Sequence, residues 1–351
     1  MQRDLAGPDR WPIPTVQSAS VRLGSYKRIN WKALWQLHCD GGKDETHLVA
    51  QGSGNSSFRH YLTLWLKSAF NYHGVAVPLR PDDLPEFRRP PVTEVVLSLQ
   101  FATLGNLRSY HIGLLWERIR ERYPTVTEQA ELPPVFETFG GRPVTQQVHL
   151  QIETLFKPPM PRYWFEAQDG GLFQLQQDRL IHNWRQLEVN QEYPRYERVR
   201  EDFINDLTSF TDFIRDHELG DLRPNQSEIS YINTIEIPGG SNPQKALEKI
   251  VRFWQGPPSI AGELESSSIH LRSVLRTDGE PYARMNIIMQ PAFRTRDQSP
   301  VVRMDITVRG KPAEETVAAA LAAFDRGREA IVRTFTEITT PAMHEVWGRI
   351  K

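Results

Sequence analysis

The chain is short of the residues that would commit it to a metal, a disulfide or a membrane. Only one of its 351 residues is cysteine, Cys39, so an intramolecular disulfide and a cysteine metal cluster are both excluded. No apolar run approaches the roughly 18 residues of a membrane span, and mean hydropathy is −0.50. Neither sign of charge dominates: 42 Lys+Arg face 43 Asp+Glu, a formal net charge of −1. A general polyanion binder is more basic than this, and an acidic disordered tail is more lopsided. The ten histidines are scattered without ligand spacing on a convincing element, so no metal site is expected. No Gly-x-Gly-x-x-Gly follows a strand, and no Gly-x-x-x-x-Gly-Lys-Ser/Thr, Gly-x-Ser-x-Gly or His-Glu-x-x-His occurs. Residues Met1–Arg10 carry no basic-then-apolar leader. The expectation is a soluble, cytoplasmic protein with no cofactor and no membrane partner. What it does have is 39% hydrophobic and 10% aromatic residues, enough for a sizeable core.

Residues 1–90 differ from the rest. They hold 12 Lys+Arg against 8 Asp+Glu, and the remainder of the chain is acidic by five. Pro8, Pro12 and Pro14 break their start, and Gln51–Ser57 reads as a glycine- and serine-rich loop. Short helical pieces fit Trp31–Leu37 and Phe58–Phe70. Pro78, Pro81, Pro85, Pro90 and Pro91 then make an extended linker, because proline fixes φ and removes a backbone donor. This stretch reads as a loosely structured N-terminal extension with a proline-rich linker, or as translated upstream sequence.

Strong periodicity begins at Pro91. Thr93–Phe101 alternates with Val95, Leu97, Leu99 and Phe101 on one face, a half-buried strand. Asn106 suits an N-cap for a helix to about Arg122, with Leu107, Tyr110 and Leu114 at helical spacing. A proline-rich loop covers 131–143. Strand-like runs follow at Val144–Leu155, Tyr163–Ala167, Leu172–Gln176 and Arg179–Leu187, with a hairpin at Asp169-Gly170-Gly171. A long helix spans about Tyr193–His217, where Tyr196, Val199, Phe203, Leu207, Phe210 and Ile214 step by three and four.

The order then begins again. Glu228–Ile237 alternates, Asn242-Pro243 opens a helix to about Gln255, and strands fit Ser268–Arg276, Ala283–Pro291 and Val301–Arg309. A final helix fits Pro312 to about Thr339. The fold class is α+β: a duplicated unit of strand, helix, antiparallel strands and long helix, residues 91–226 and 227–351. The sheet is mostly antiparallel with helices on one face. Joined edge to edge, two such halves resemble the TATA-binding-protein-like architecture. Kept apart, they make two helix-grip-like domains. The likeness is one of element order and carries no function.

Residues from about Pro91 to Trp347 also resemble a sporadically distributed bacterial family of uncharacterised proteins. The resemblance rests on Pro91-Val92-Thr93-Glu94-Val95-Val96, the Trp164–Asn183 hairpin, Tyr231-Ile232-Asn233-Thr234-Ile235, Phe335-Thr336 and Trp347-Gly348-Arg349. Residues 1–90 depart from its pattern. The resemblance implies no reaction. It implies an accessory role, in defence or as a toxin-like module.

Several residues invite a chemical reading. Gly239-Gly240-Ser241-Asn242 precedes a helix and suits an anion, but the same residues suit a tight strand-to-helix turn. Cys39 lies between His38 and Asp40, yet chain neighbours do not face each other, so an inert thiol is expected. Glu314 and Glu315 match the dipole at a helix start. Asn233 falls on the apolar face of its strand between Tyr231 and Ile235. A buried amide must find partners, so it either bonds nearby backbone or lines a polar pocket with Tyr231. Alternation also directs His270, Arg272, Arg276, Arg284, Arg303 and Arg309 away from the helices, alongside Glu228, Glu236 and Asp305. That face is either solvated with cross-strand ion pairs, or a platform for phosphate. Trp164 and Trp184 are the aromatics available to stack there. The C-terminal His344, Trp347 and Arg349 are expected to dock on the body.

Three functions follow. The first is a noncatalytic binding or interaction protein, with a protein partner or a second copy of itself. The second is nucleic-acid or phosphoanion binding on the arginine face. The third is an enzyme with a small-molecule pocket between long helix and sheet, around Asn233. The missing catalytic motifs point away from the third.

Overall fold

A computed structural model describes residues 80–140, 160–188, 191–237, 243–256, 264–294 and 297–351. The expected features in residues 1–79, the strand at Val144–Leu155 and the turn at Gly239–Asn242 lie outside the described residues. The chain runs β1 (Val92–Phe101), α1 (Ser109–Ile119), β2 (Thr125–Gln129), β3 (Arg162–Glu166), β4 (Gly171–Gln176), β5 (Arg179–Arg185) and α2 (Tyr196–Asp216). It continues with β6 (Pro224–Glu236), α3 (Pro243–Ile250), β7 (Ile269–Thr277), β8 (Glu280–Phe293), β9 (Pro300–Gly310), α4 (Val317–Ile338) and α5 (Pro341–Val346).

The class is α+β. Nine strands among the described residues form one sheet in the order β2-β3-β4-β5-β1-β6-β9-β8-β7, antiparallel throughout. β1 and β6 meet at the centre, with Val95 opposite Tyr231 and Leu97 opposite Ile229. Each is flanked on its other side by the last strand before a long helix, β5 beside β1 and β9 beside β6.

Alternation explains which face the helices cover. Val95, Leu97 and Leu99 of β1, Ile229, Tyr231 and Ile235 of β6, and Val302, Met304 and Ile306 of β9 are all buried in one core with Phe203, Phe210, Phe324 and Ile331 of the helices. The two long helices are clamped together above it. Arg200 of α2, 1% exposed, donates to both carboxylate oxygens of Asp325 of α4 at 2.9 and 3.1 Å. Tyr196 donates to the same carboxylate at 2.7 Å, and the Phe203 and Phe324 rings meet edge to face at 5.1 Å. Gly327 lets α4 approach β6, since a Cβ there would lie 2.6 Å from Ile229 Cγ2.

Some boundaries differ from the sequence reading. α1 begins at Ser109, three residues past Asn106, with Arg108 at the cap and its N–H donating to His111 Nδ1 at 3.0 Å. That start turns Ile112, Leu115 and Ile119 inward and leaves Tyr110 and Leu114 exposed. α4 begins at Val317, not Pro312, because the Thr316 side chain accepts from the Ala319 N–H at 3.2 Å and caps the helix there. Glu315 thus precedes the helix and pairs with Arg223 at 2.7 Å. Strand β2 was not legible, its five residues Thr125–Gln129 being mostly polar. β1 is buried on both faces toward its end, with Ser98 and Gln100 covered as well as Leu97 and Leu99. The C-terminal tail docks: Trp347 is buried against Phe87 and Phe335, and Gly348 accepts from the Arg88 N–H at 2.9 Å. Among the described residues, no helix is long and apolar enough to cross a membrane.

Two predictions follow from this packing. Gly327→Ala pushes a methyl into Ile229 and should cost about 1–3 kcal/mol in urea denaturation, as overpacking does; an unchanged midpoint would contradict the contact. Burial, with Arg349 and Arg252 nearby, lowers the His344 pKa below its ordinary value of 6.5. The unfolded chain then binds the proton more readily, so this stability is present above pH 6.5 and lost as pH falls below it. The denaturation midpoint should fall as pH drops from about 7 to 5, and His344→Gln should shrink that fall.

Candidate functional site

The face of the sheet opposite the helices carries the arginines read from the sequence. Register places Arg284 beside Arg309, Arg309 beside Glu228, Arg272 beside Asn286, His270 beside Ile288, and Arg303 beside Thr234. Their chain neighbours Met285, Ile287, Val302, Met304 and Val308 are buried on the helix side. The six basic residues therefore share a face, but they do not form one cluster. Arg276 lies at the β7–β8 turn and donates to Gly279 O at 2.7 Å. Arg303 is held by Asp305 at 2.9 Å, and burial pushes the Asp305 carboxyl up despite that arginine. Arg294 reaches Glu236 at 2.6 Å.

The other three arginines converge on a residue that sequence reasoning placed in a loop. The segment Glu131–Phe139 lies across the open face from β4 to β8. Leu132 exchanges two hydrogen bonds with the Gln176 amide, at 3.1 and 2.9 Å. Arg179 donates to Pro133 O at 2.9 Å, and the Val135 N–H donates to Gln100 Oε1 at 2.9 Å. The Glu137 carboxylate, 5% exposed, then sits 2.6 Å from Arg284, 3.5 Å from Arg309 and 3.7 Å from Arg272. Arg284 also donates to Thr138 O at 2.7 Å and stacks on the Phe139 ring at 5.4 Å. Arg309 is shared with Glu228. Pro133 and Pro134 keep the middle of this strap extended and remove two of its N–H donors, and side chains of the sheet bond the backbone on either side.

The first-half side of the open face is polar and buried. Arg162 donates to Gln174, Gln174 to Asn183 at 2.7 Å, and Asn183 to Glu94 at 2.6 Å. Trp164 belongs to this face, opposite Gln174, under the Arg162 guanidinium at 5.5 Å. Trp184 does not; its ring packs near Tyr193 at 5.4 Å on the helix side.

Tyr231 and Asn233 line a different place, a cavity of about 70 Å³ on the helix face among β6, α2, α4 and residues Arg80–Val92. The Tyr193 and Tyr231 hydroxyls lie 3.1 Å apart. Burial pushes the Tyr193 hydroxyl pKa well up and that of Tyr231 up to about 12, so both stay neutral. Arg328 lies over the Tyr196 ring and donates to Glu197 at 3.1 Å. Asn233 donates through Nδ2 to Met304 O at 3.0 Å. Asn233 thus bonds backbone, one of the two alternatives read from the sequence, and also lines this mostly apolar cavity.

A third polar cluster lies under α2 and was missed because its members are far apart in sequence. His182 Nδ1 is 2.6 Å from Asp206 Oδ2, and Tyr123 donates to both oxygens of that carboxylate at 2.8 Å. Arg122 reaches Asp206 at 3.3 Å and Asp202 at 2.8 Å. Among the described residues no hydroxyl or thiol is hydrogen-bonded to His182. No group of three or more metal-ligating side chains occurs among the described residues.

No family model matches the chain, and no curated protein matches it.

Asp206 is the shared acceptor for three buried or half-buried groups. Asp206→Ala should therefore cost on the order of 3 kcal/mol, the scale of breaking a buried charged network. A loss below about 1 kcal/mol in chemical denaturation would show that the network relaxes without it.

Proposed function

We propose that this protein is a noncatalytic binding protein whose open sheet face holds an extended acidic segment of a protein partner. The observation that carries this reading is the strap. A peptide already lies on that face, recognised through its backbone by Gln176, Arg179 and Gln100 and through its carboxylate by Arg284, Arg309 and Arg272. Backbone recognition by side-chain amides tolerates many sequences, and the arginine cluster adds a demand for one acid. The strap fills the face in cis, and a partner would compete with it.

The architecture behind this reading is two related halves, residues 91–226 and 227–351, joined as in TATA-binding-protein-like folds. The matching placement of β5 beside β1 and β9 beside β6 supports it, and continuous pairing across β1 and β6 favours it over two separate helix-grip-like domains. An accessory role, as the family resemblance implies, suits a binder of this kind.

Phosphoanion binding is the weaker reading of the same face. Arg284 and Arg309 are engaged by Glu137 and Glu228, and Arg303 by Asp305. An incoming phosphate would have to displace a carboxylate at each.

The test uses the full chain and a fluorescent peptide of residues Ala130–Gly140. Glu137→Arg sets a cation against the arginine cluster and should free the face. The variant should bind the peptide at least about tenfold more tightly than the unaltered chain, whose own strap competes at millimolar effective concentration. Absence of binding to the variant would sink the proposal. An oligonucleotide that binds instead, with steep salt dependence lost on Arg272→Ala with Arg303→Ala, would favour phosphoanion binding.

A further inference from the structure

The cavity at Tyr231 and Asn233 lies on the helix face and plays no part in the open-face reading. Its polar lining is incompletely satisfied. Two tyrosine hydroxyls share one hydrogen bond, so one of their two protons has no acceptor among the described residues. Asn233 is 2% exposed, and with Nδ2 donating to Met304 O its carbonyl Oδ1 has no donor among the described residues. The cavity thus offers one donor and one acceptor. Arg328 pairs with Glu197 at 3.1 Å and Arg80 with Glu86 at 3.7 Å, while Arg195, which also lines the cavity, donates to the backbone carbonyls of Phe87 and Arg88 at 3.0 and 3.1 Å. Phe87, Val92, Ile331 and Phe335 supply apolar walls.

We propose that this cavity binds a small primary carboxamide. The ligand carbonyl takes the tyrosine proton, and the ligand NH₂ donates to Asn233 Oδ1. A carboxylate of the same shape would place an oxygen against Asn233 Oδ1 with no proton between them. The volume of about 70 Å³ admits only a few heavy atoms, well below the roughly 300–1,000 Å³ of a drug-sized site. The carboxamide is either a free small amide or the end of an asparagine or glutamine side chain.

Acetamide and acetate, nearly isosteric, make the test, read by saturation-transfer NMR on the full chain. Acetamide should bind with a dissociation constant on the order of 1 mM, as expected for four heavy atoms. Acetate should bind at least about tenfold more weakly, having lost the donor that Asn233 requires. Removing both hydroxyls together, Tyr193→Phe with Tyr231→Phe, should weaken acetamide at least about fivefold. Acetate binding as well as acetamide, no transfer to acetamide up to about 100 mM, or binding unchanged in the double tyrosine variant would each overturn the proposal. N-acetylglutamine methylamide separates the sources: binding equal to acetamide assigns the amide to a protein side chain, and failure to bind assigns it to a free molecule.

Discussion

The pairing of β1 with β6 is the constraint on which the rest of the structure depends. These are the first strand of the chain's periodic region and the first strand after its long helix α2, and they meet antiparallel over most of their length. A one-residue slip would carry every side chain to the other face. In the observed register, Val95, Leu97 and Leu99 join Tyr231 and Ile229 beneath the helices, while Glu94, Ser98 and Gln100 join Ile232, Glu228 and Gln226 on the open side. The same register brings Gln100 within reach of the strap and sets Tyr231 and Asn233 under α2 and α4. Both candidate sites are therefore consequences of one pairing, on opposite faces of it.

On the open face, charge decides what can bind. An arginine under a peptide is costly to leave unpaired, and Glu137 answers three of them at once. The strap gains little from hydrophobic burial, with Phe136 left exposed. What holds it is a set of side-chain amide and guanidinium groups that donate to its carbonyls at Leu132 and Pro133 and accept from its N–H groups at Leu132 and Val135, each bond contributing about 1 kcal/mol and those to charged groups more. Such a set is specific in register yet individually weak, which suits a segment that can be exchanged for another of the same chemistry. On the helix face the balance is reversed. Arg200 with Asp325 and the aromatic rings of Phe203 and Phe324 fix two helices rigidly, and the cavity lies beside them.

Much of this was legible in the sequence, for reasons that can be named. Strand alternation in Val301–Arg309 identified both faces of β9, and the three-and-four spacing from Tyr196 to Ile214 identified α2 and its buried side. Each pattern is a local echo of the sheet or helix period. The direction of Arg272, Arg284, Arg303 and Arg309 was readable for the same reason. What they touch was not, because Glu137 lies outside any periodic element and its partners are more than a hundred residues away in β7, β8 and β9. Glu131–Phe139 looked like a linker, since prolines that prevent a strand equally permit an extended crossing. The polarity of Gln100, Gln174 and Gln176 on strands with one apolar face was the available signal that something other than water covers them. The His182–Asp206–Tyr123 cluster gave no signal, its members meeting only when β5, α2 and the end of α1 have packed.

The most direct measurement is a double-mutant cycle between Glu137 and Arg284, with Glu137→Gln and Arg284→Gln scored by chemical denaturation of the full chain. If the strap is held by its carboxylate, the two changes should couple by at least about 1.5 kcal/mol, as close charge pairs with low exposure do. Additive effects, within about 0.5 kcal/mol, would mean that Glu137 does not occupy the arginine cluster, and the account of the open face would fall with it.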